Sequence, residues 1–457
     1  MKEISQQITD LLNQKQFLVL KTMLNQMEPY DIAAALWDIP DRESLIIFRL
    51  LPKELAAQTF VEFDNARQES WIQSFSDKEL KAVFDELFVD DTVDIIEEMP
   101  ANVVKRILKH ADAKTRKEIN EILQYPDDSA GSIMTTEFIS LKKDMTVMEA
   151  FQHIREEGFE SETIYTCYVT DSQKKLIGYV TIRMLLLSDM DKKIADVMDE
   201  NCVYVKTHDD KENAARALAN YDFMAIPVVD NEQRLVGIIT VDDALDVLEE
   251  EATEDINLMS AVAPTTESYL KTSVFRHWSK RIVWLILLMI SGILTGLVIT
   301  NYESVFAALP LLVAFIPRLM DTGGDSASQS SATIIRAMAL GEIETRDFFR
   351  VFAKELGIGS LAGLTLAVAD IPLVWIMYGA SLTTPQTWYL CLAFGLTLFF
   401  TVVLSKLLGV ILPFLAKLAK IDPALVSLPI ITTVVDVLSV LIYFVIVSLL
   451  VMPHVIV

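Results

Sequence analysis

Cysteine, histidine and basic residues are all scarce in this chain. Cys167, Cys202 and Cys391 are the three cysteines in 457 residues. They show no C-x-x-C spacing, which excludes a disulfide framework and a metal–thiolate site. The five histidines, His110, His153, His208, His277 and His454, form no HExxH pair and stand in no apolar core, so zinc-protease and Ser–His chemistry are excluded. Lys and Arg number 39 against 63 Asp and Glu. The deficit is concentrated in the first 270 residues, which hold 27 basic and 53 acidic side chains. Nucleic acid and anionic lipid repel such a body, because binding either draws on Lys/Arg excess, whereas divalent cations are attracted to it. The opening MKEISQQITDLLNQ lacks an apolar h-region. No cleavable signal is expected, the first membrane helix would direct insertion, and residues 1–270 would stay in the cytosol.

Apolar residues are abundant, with a mean hydropathy of +0.36. Five runs approach or exceed the roughly 20 apolar residues that a hydrocarbon core requires: 281–300, 305–334, 353–379, 387–413 and 424–452. The second is interrupted by Pro310, Pro317 and Gly323–Gly324, and the glycine pair is expected to break it. Basic residues mark cytoplasmic connections. Lys271, Arg276, Lys280 and Arg281 precede the first run, Arg336, Arg346, Arg350 and Lys354 follow the second, and Lys406, Lys417 and Lys420 surround the connection between the fourth and fifth. The expectation is a multi-pass membrane protein with a cytoplasmic N-terminus and an extracellular C-terminus.

Asp436 stands near the middle of the last run, behind Thr432 and Thr433. A charge there costs about 2.5–3.5 kcal/mol on insertion scales, so a cation path is the first reading and a hydrogen bond to a neighbouring helix the alternative. Pro429 lacks the N–H that would engage the carbonyl of Leu425, which offers a further oxygen. Asp370 is a second intramembrane carboxylate. In the second run, Gly323, Gly324, Asp325 and Gln329 form a small, polar stretch suited to a wet cavity. Arg318 has Asp321 three residues on as an expected partner.

Residues 1–130 read as short amphipathic helices punctuated by Pro52, Pro100 and Pro126, with Val93, Ile95, Ile96 and Met99 on one face. A repeat follows. Ile177-Gly-Tyr-Val-Thr181 recurs 59 residues later as Val236-Gly-Ile-Ile-Thr240. Each copy, read as one helix and two strands, is too small to close its own core, so the two are expected to pack as a pair. They resemble tandem CBS domains, with Gly237, Thr240 and Asp243 completing the pattern in the second copy and Met184 replacing the Asp in the first. The resemblance implies room for an adenosine nucleotide at Phe223, Thr240 and Asp243. Next, eight carboxylates fall within 242–255, interleaved with Ala244, Leu245, Val247 and Leu248. In a helix their like-charge spacings cost roughly 0.2–0.5 kcal/mol each, which a bound divalent cation would reverse. A solvated acidic linker is the alternative.

The order of these parts resembles the MgtE family of Mg²⁺ channels and transporters. An all-α N-domain (1–130), a tandem CBS pair (131–241), an acidic connecting or plug helix (242–275) and a five-helix transmembrane domain (276–457) would make up a multidomain membrane protein. The resemblance rests on Tyr125-Pro-Asp-Asp-Ser-Ala-Gly131, on Thr240-Val-Asp-Asp-Ala-Leu-Asp-Val-Leu248 and on Asp422-Pro-Ala-Leu-Val-Ser427 leading through Thr433 to Asp436. It implies a non-enzymatic homodimer in the cell membrane that takes up Mg²⁺ through a pore lined by Asp436 and the Thr432 carbonyl. It also implies regulatory Mg²⁺ bridging Asp243, Asp246, Glu251, Glu254 and Asp255 to Asp210, Glu212, Asp222, Asp90, Asp94 and Asp422. Low Mg²⁺ would let these carboxylates repel and open the gate. Asp325 and Ala327 depart from the family's Asn and Gly, Arg318 stands where an apolar residue is usual, Leu428 where a small or polar one is usual, and Gln58 replaces a frequent carboxylate. Transport of Co²⁺ or Mn²⁺, or a transport-inactive sensor of the same fold, is the alternative.

Overall fold

The computed structural model describes residues 2–264, 269, 272–378, 384–426 and 428–455. Lys271 and Ser427, both used above, lie outside these residues, as does the side chain of Leu428. The chain forms two compact units, Met1–Glu251 and Ala252–Val457.

The first unit opens with helices α1 (Lys2–Asn13), α2 (Phe17–Leu24), α3 (Pro29–Trp37), α4 (Asp41–Phe48), α5 (Lys53–Val61), α6 (Asn65–Ser74), α7 (Asp77–Phe84), α8 (Val89–Glu97), α9 (Ala101–His110) and α10 (Ala113–Ile122). Local chemistry punctuates them. Pro52 and Pro100 stand at the N-caps of α5 and α9. Asp64 and Asp112 accept from backbone N–H groups at the starts of α6 and α10, and Ser76 with Glu79 forms a capping box on α7. Val93, Ile95, Ile96 and Met99 are buried as their spacing requires. Trp71 packs between Phe48 and Phe63 in tilted geometry, with ring centroids 4.9 and 4.7 Å away. The buried Arg67 donates to the carbonyls of Leu36 and Trp37 and pairs with Asp41, so its burial is compensated.

The repeat follows as β1 (Phe138–Lys142), α11 (Val147–Glu157), β2 (Thr163–Thr170), β3 (Leu176–Thr181), α12 (Ile182–Leu186), β4 (Val205–Lys206), α13 (Lys211–Asn220), β5 (Ala225–Val229), β6 (Leu235–Thr240) and α14 (Val241–Met259). Each copy has three strands rather than two, in orders β1-β2-β3 and β4-β5-β6. The extra strand is parallel to the middle one and short, only Val205–Lys206 in the second copy, too short for an alternating pattern to reveal it. The copies do pack as a pair. Tyr168 Oη donates to the Ala225 carbonyl at 3.0 Å, and Tyr168, Ala225, Leu235 and Ile238 share a core. The core of α1–α10 continues into the second copy through Ala215, Ile226, Ile239, Ala244 and Val247. That continuity sets the start of α14 against α8. The acidic connection is helical only to Met259, where Ala261 turns the chain with φ 54°.

The second unit contains the end of α14, then α15 (Val274–Asn301), α16 (Glu303–Ala308), α17 (Ile316–Ala339), α18 (Phe348–Tyr378), α19 (Thr384–Leu418), α20 (Leu428–Leu450) and the short α21 (Met452–Val455). Among the described residues, four segments are long and apolar enough to cross a membrane: Val274–Asn301, Thr345–Met377, Pro385–Leu418 and Pro429–His454. The second expected run departs from the forecast. It divides at a 3-10 turn, Pro310–Phe315, and restarts as α17, where Pro317 occupies a first-turn position that needs no N–H. Gly323–Gly324 does not break it. Packing against α19 and α20 holds the helix through the pair, overriding glycine's low propensity. At 24 residues α17 spans about 36 Å, yet Arg318, Asp321 and Asp325 keep it too polar to count as an apolar span.

Two further expectations are corrected. Pro429 stands at the start of α20, not inside a longer helix, so it opens no gap at Leu425, which belongs to a separate 3-10 turn. Lys406 is not in a connection. It lies buried inside α19, with 6% of its surface exposed.

Candidate cation sites

In the first unit, α8 presents Asp90, Asp91 and Asp94 toward the beginning of α14, where Asp242 and Asp243 stand, with Glu137 and Glu162 of the first repeat copy beside them. Burial raises the pKa of Asp90 well above the carboxylate range, and Asp243, Asp91 and Glu162 add repulsion. Burial likewise pushes Asp91 up to about 6, with Asp242 and Glu62 contributing. Asp243 rises to about 7 through burial, although a hydrogen bond from Thr240 favours its charge. Glu137 reaches about 7, against a backbone bond from Val89, and Glu162 about 8. One oxygen of Glu162, Oε2, is buried with no hydrogen-bond partner among the described residues. Asp94 is raised by burial first and by Asp243 next; it keeps solvent contact, so repulsion on it is more screened than on Asp90, of which 6% is exposed.

Asp90, Asp94 and Asp243 are thus brought together. Asp246 sits farther along α14, raised by burial and by Asp242 and Glu249, and its charge acts on Glu62, one turn beyond Gln58. Asp210 caps α13 through the N–H groups of Glu212 and Asn213 at 2.9 and 3.2 Å. Glu212 pairs with Arg216, and Asp222 occupies a turn with φ 53°. Lys211 Nζ stands 3.8, 3.8 and 4.0 Å from Asp128, Glu250 and Glu251, supplying the resident positive charge there. Glu254 and Asp255 lie on the second-unit part of α14. Asp422 accepts the Ala424 N–H at 2.8 Å. Among the described residues, no three acidic, His or Cys side chains are arranged to hold a bare metal ion. Of the nucleotide candidates, Phe223 stacks on Tyr221 and Thr240 is bonded to Asp243.

In the second unit, the membrane carboxylates Asp370, Glu355 and Asp436 meet three fates. Asp370 on α18 pairs with Arg318 of α17, so Arg318 is neutralised by a different helix and not by Asp321. Glu355 on α18 accepts from Ser330 Oγ at 2.6 Å. Asp436, half-buried on α20, has no ion pair among the described residues. One turn before it, Thr432 and Thr433 both donate to the Pro429 carbonyl at 2.9 Å. Gly323 and Gly324 press α17 against this stretch. A Cβ at Gly323 would meet Ser439 Oγ and Thr401 Cγ2 at 2.9 Å and Val435 Cγ1 at 3.0 Å, and one at Gly324 would meet Thr432 Cγ2 at 3.2 Å. The rest of α17 presents Asp321, Asp325, Gln329 and Thr333, four residues apart, on an exposed polar stripe.

Three family models match along the chain: the MgtE intracellular N domain over 27–128, the CBS domain over 130–190 and 194–250, and MgtE, a divalent cation transporter, over 316–446. The chain is 36% identical over 447 residues to the magnesium transporter MgtE of Thermus thermophilus, covering 97% of each chain. The chain belongs to the MgtE family. It is also 35% identical to MgtE of Enterococcus faecalis over 73% of this chain and 71% of that one. A crystal structure of the cytosolic domain of the Mg²⁺ channel MgtE in complex with ATP aligns with 34% identity and a TM-score of 0.51, covering 53% of this chain and 99% of that one. The MgtE transporter model runs from the first residue of α17 into α20 and so contains both the glycine pair and Asp436. As a member of this family the chain is a multi-pass membrane protein and a transporter, not an enzyme.

Asp91, Glu137, Glu162 and Glu62 were missed from sequence. Asp91 adjoins two named residues and was accessible to a reading of α8 as a double-sided acidic helix. Glu137 and Glu162 carry no local signal, because tertiary packing alone brings them to α8.

Two outcomes follow from this geometry. Each raised carboxylate binds its proton more tightly in the packed unit than in an open chain. Protonation therefore favours packing, and that contribution is lost as pH rises through about 6 to 8. With divalent ions chelated, protease cleavage of 89–97 and 241–251 in the full-length protein should be slower near pH 6 than near pH 8, relative to an unstructured substrate; equal or inverted rates would refute this electrostatic picture. Because Gly323 faces three short, stiff side chains and Gly324 one, Gly323→Ala should lower the melting temperature of the solubilised protein more than Gly324→Ala. The Gly323 change should cost about 1–3 kcal/mol, and the reverse order would contradict the packing.

Proposed function

We propose that this protein is a homodimeric, Mg²⁺-gated Mg²⁺ channel of the cell membrane, with its N-terminus in the cytoplasm and its C-terminus outside. The observation that carries the reading is Asp436, a membrane carboxylate that among the described residues lacks the basic partner Asp370 has, on the helix whose Thr432, Val435 and Ser439 pack on the glycine pair of α17. Mg²⁺ gives up water reluctantly, so Asp436, the Thr432 carbonyl, Asp325 and Gln329 would hold the hydrated ion through outer-shell contacts. The polar stripe Asp321–Asp325–Gln329–Thr333 would be costly against lipid, and a second copy supplies the other wall of a wet path. Pairing of Arg318 with Asp370 removes the charge that would oppose cations.

The proposed parts are an N-domain over 1–130, a CBS pair over 131–241, a connecting segment over 242–275 and a membrane domain from 276. The donor set around α8 and the start of α14 is all oxygen and includes the unpartnered Glu162 Oε2, which fits a hard divalent cation. Regulatory Mg²⁺ would lie among Asp90, Asp94, Asp243 and Asp246, and, along α14, near Glu251, Glu254 and Asp255. It favours the packed state because it cancels repulsion that exists only there. A relative's cytosolic domain has been crystallised with ATP; in this chain Phe223, Thr240 and Asp243 are proposed to receive the nucleotide.

Mg²⁺ uptake into liposomes containing the full-length protein tests the path. The wild type should transport, and Asp436→Ala should lower the rate at least about tenfold. Unchanged uptake in that variant would overturn the assignment, while uptake of Mn²⁺ or Co²⁺ in preference to Mg²⁺ would correct the cargo.

A further inference from the structure

Lys406 is a buried ammonium inside a membrane helix, and its surroundings are built for it. Nζ lies 3.2 Å from Ser330 Oγ and 3.5 Å from the Ser326 carbonyl, both on α17. Ser330 in turn donates its hydroxyl hydrogen to Glu355 Oε2 on α18 at 2.6 Å. The positive charge on α19 therefore reaches the negative charge on α18 through one hydroxyl of α17. Close approach makes this possible. A Cβ at Gly409 would stand 2.7 Å from the Ala327 carbonyl and 3.0 Å from Ser330 Cβ, and one at Gly359 would stand 3.3 Å from Val403 Cα. On α17 and α19 the hydroxyls of Ser331, Thr401 and Ser405 are buried without hydrogen-bond partners among the described residues, so the region is polar.

The consequence is rotational. Ser326 and Ser330 each follow by one residue the exposed Asp325 and Gln329, about 100° around α17. Holding the serine face against Lys406 directs Asp325 and Gln329 away from α19. Loss of the clamp would leave the half-buried Glu355 of α18 and the buried Lys406 of α19 to find other partners, and a turn of α17 about its axis is the motion that supplies one. We propose that Lys406, linked through Ser330 to Glu355, is a positioning residue that sets the rotation of α17 and so aims Asp325 and Gln329 into the ion path. This rests on the reading of α17 and α20 as the walls of that path.

The test uses the full-length protein in liposomes, with Mg²⁺ uptake and the rate at which a charged, water-soluble methanethiosulfonate modifies the introduced thiol of Gln329→Cys. The variants are Lys406→Met, Lys406→Arg, Ser330→Ala, Glu355→Gln and the pair Lys406→Met with Glu355→Gln, and Asp436→Ala is the control for the path. Expected are a fall in uptake of about fivefold or more in Lys406→Met and Glu355→Gln, with partial recovery in the pair, which leaves no buried charge uncompensated. Thiol modification should slow by a similar factor in Lys406→Met and Ser330→Ala and stay near the starting value in Lys406→Arg. Loss of uptake with unchanged thiol modification would overturn the positioning role, as would wild-type behaviour on both readouts. Should Lys406→Met not fold, Ser330→Ala, which retains both charges, decides the question by the same two measurements. If Asp436→Ala alone transports normally, the path itself is misplaced and the proposal falls with it; if Asp436→Ala abolishes uptake while the clamp variants do not alter it, the path stands and the clamp alone is refuted.

Discussion

A carboxylate removed from bulk water keeps its charge only when something positive, or a set of donors, stands against it. That requirement orders most of this molecule. Asp370 meets Arg318, Glu355 meets Ser330 with Lys406 behind it, and Glu250 and Glu251 meet Lys211. Apart from the exposed Asp321 and Asp325 of α17, two places lack a resident positive partner among the described residues: the carboxylates gathered between α8 and the start of α14, and Asp436 on α20. Those are the places where a mobile cation changes the energy most. In the first it would relieve mutual repulsion, and in the second it would find an acceptor that no protein group has neutralised.

The two places also differ in how tightly the fold holds them. The acidic group is assembled by a hydrophobic core that runs from α1–α10 into the second repeat copy and takes in Ala244 and Val247 of α14. Apolar burial draws together surfaces that their charges drive apart, which makes the packed arrangement sensitive to whatever compensates the charge. The surroundings of Asp436 are held by steric contact instead. Gly323 admits Thr401, Val435 and Ser439 at the distance where any side chain would collide. Leu258, at the end of α14, shares a small core with Ile335 of α17 and Ala424.

Much of this was legible beforehand because it was written in local patterns. Pro52 and Pro100 delimit helices by their own chemistry, the 59-residue repeat marks the CBS pair, and an aspartate in an apolar run stands out wherever it occurs. What escaped was decided by partners distant in sequence. Arg318 had an acceptable neighbour at Asp321 but lies against Asp370, and spacing along one helix cannot report on another. Lys406 counts with Lys417 and Lys420 as a basic marker although the run 387–413 already contains it, because only the fold brings Ser326 and Ser330 of α17 to its charge. The glycine pair resembled a break, whereas it is a contact surface, a distinction that depends on the presence of Val435 and Ser439. Glu137 and Glu162 joined the acidic group only through the fold.

The central claim is that a divalent cation stabilises the packing of α8 against the start of α14. Hydrogen–deuterium exchange of the peptides covering 89–97 and 241–259, in full-length protein with and without millimolar Mg²⁺ at matched ionic strength, tests it most directly. Exchange in both peptides should slow with Mg²⁺ and not with added monovalent salt. Exchange indifferent to Mg²⁺, or slowed equally by monovalent salt, would contradict the account.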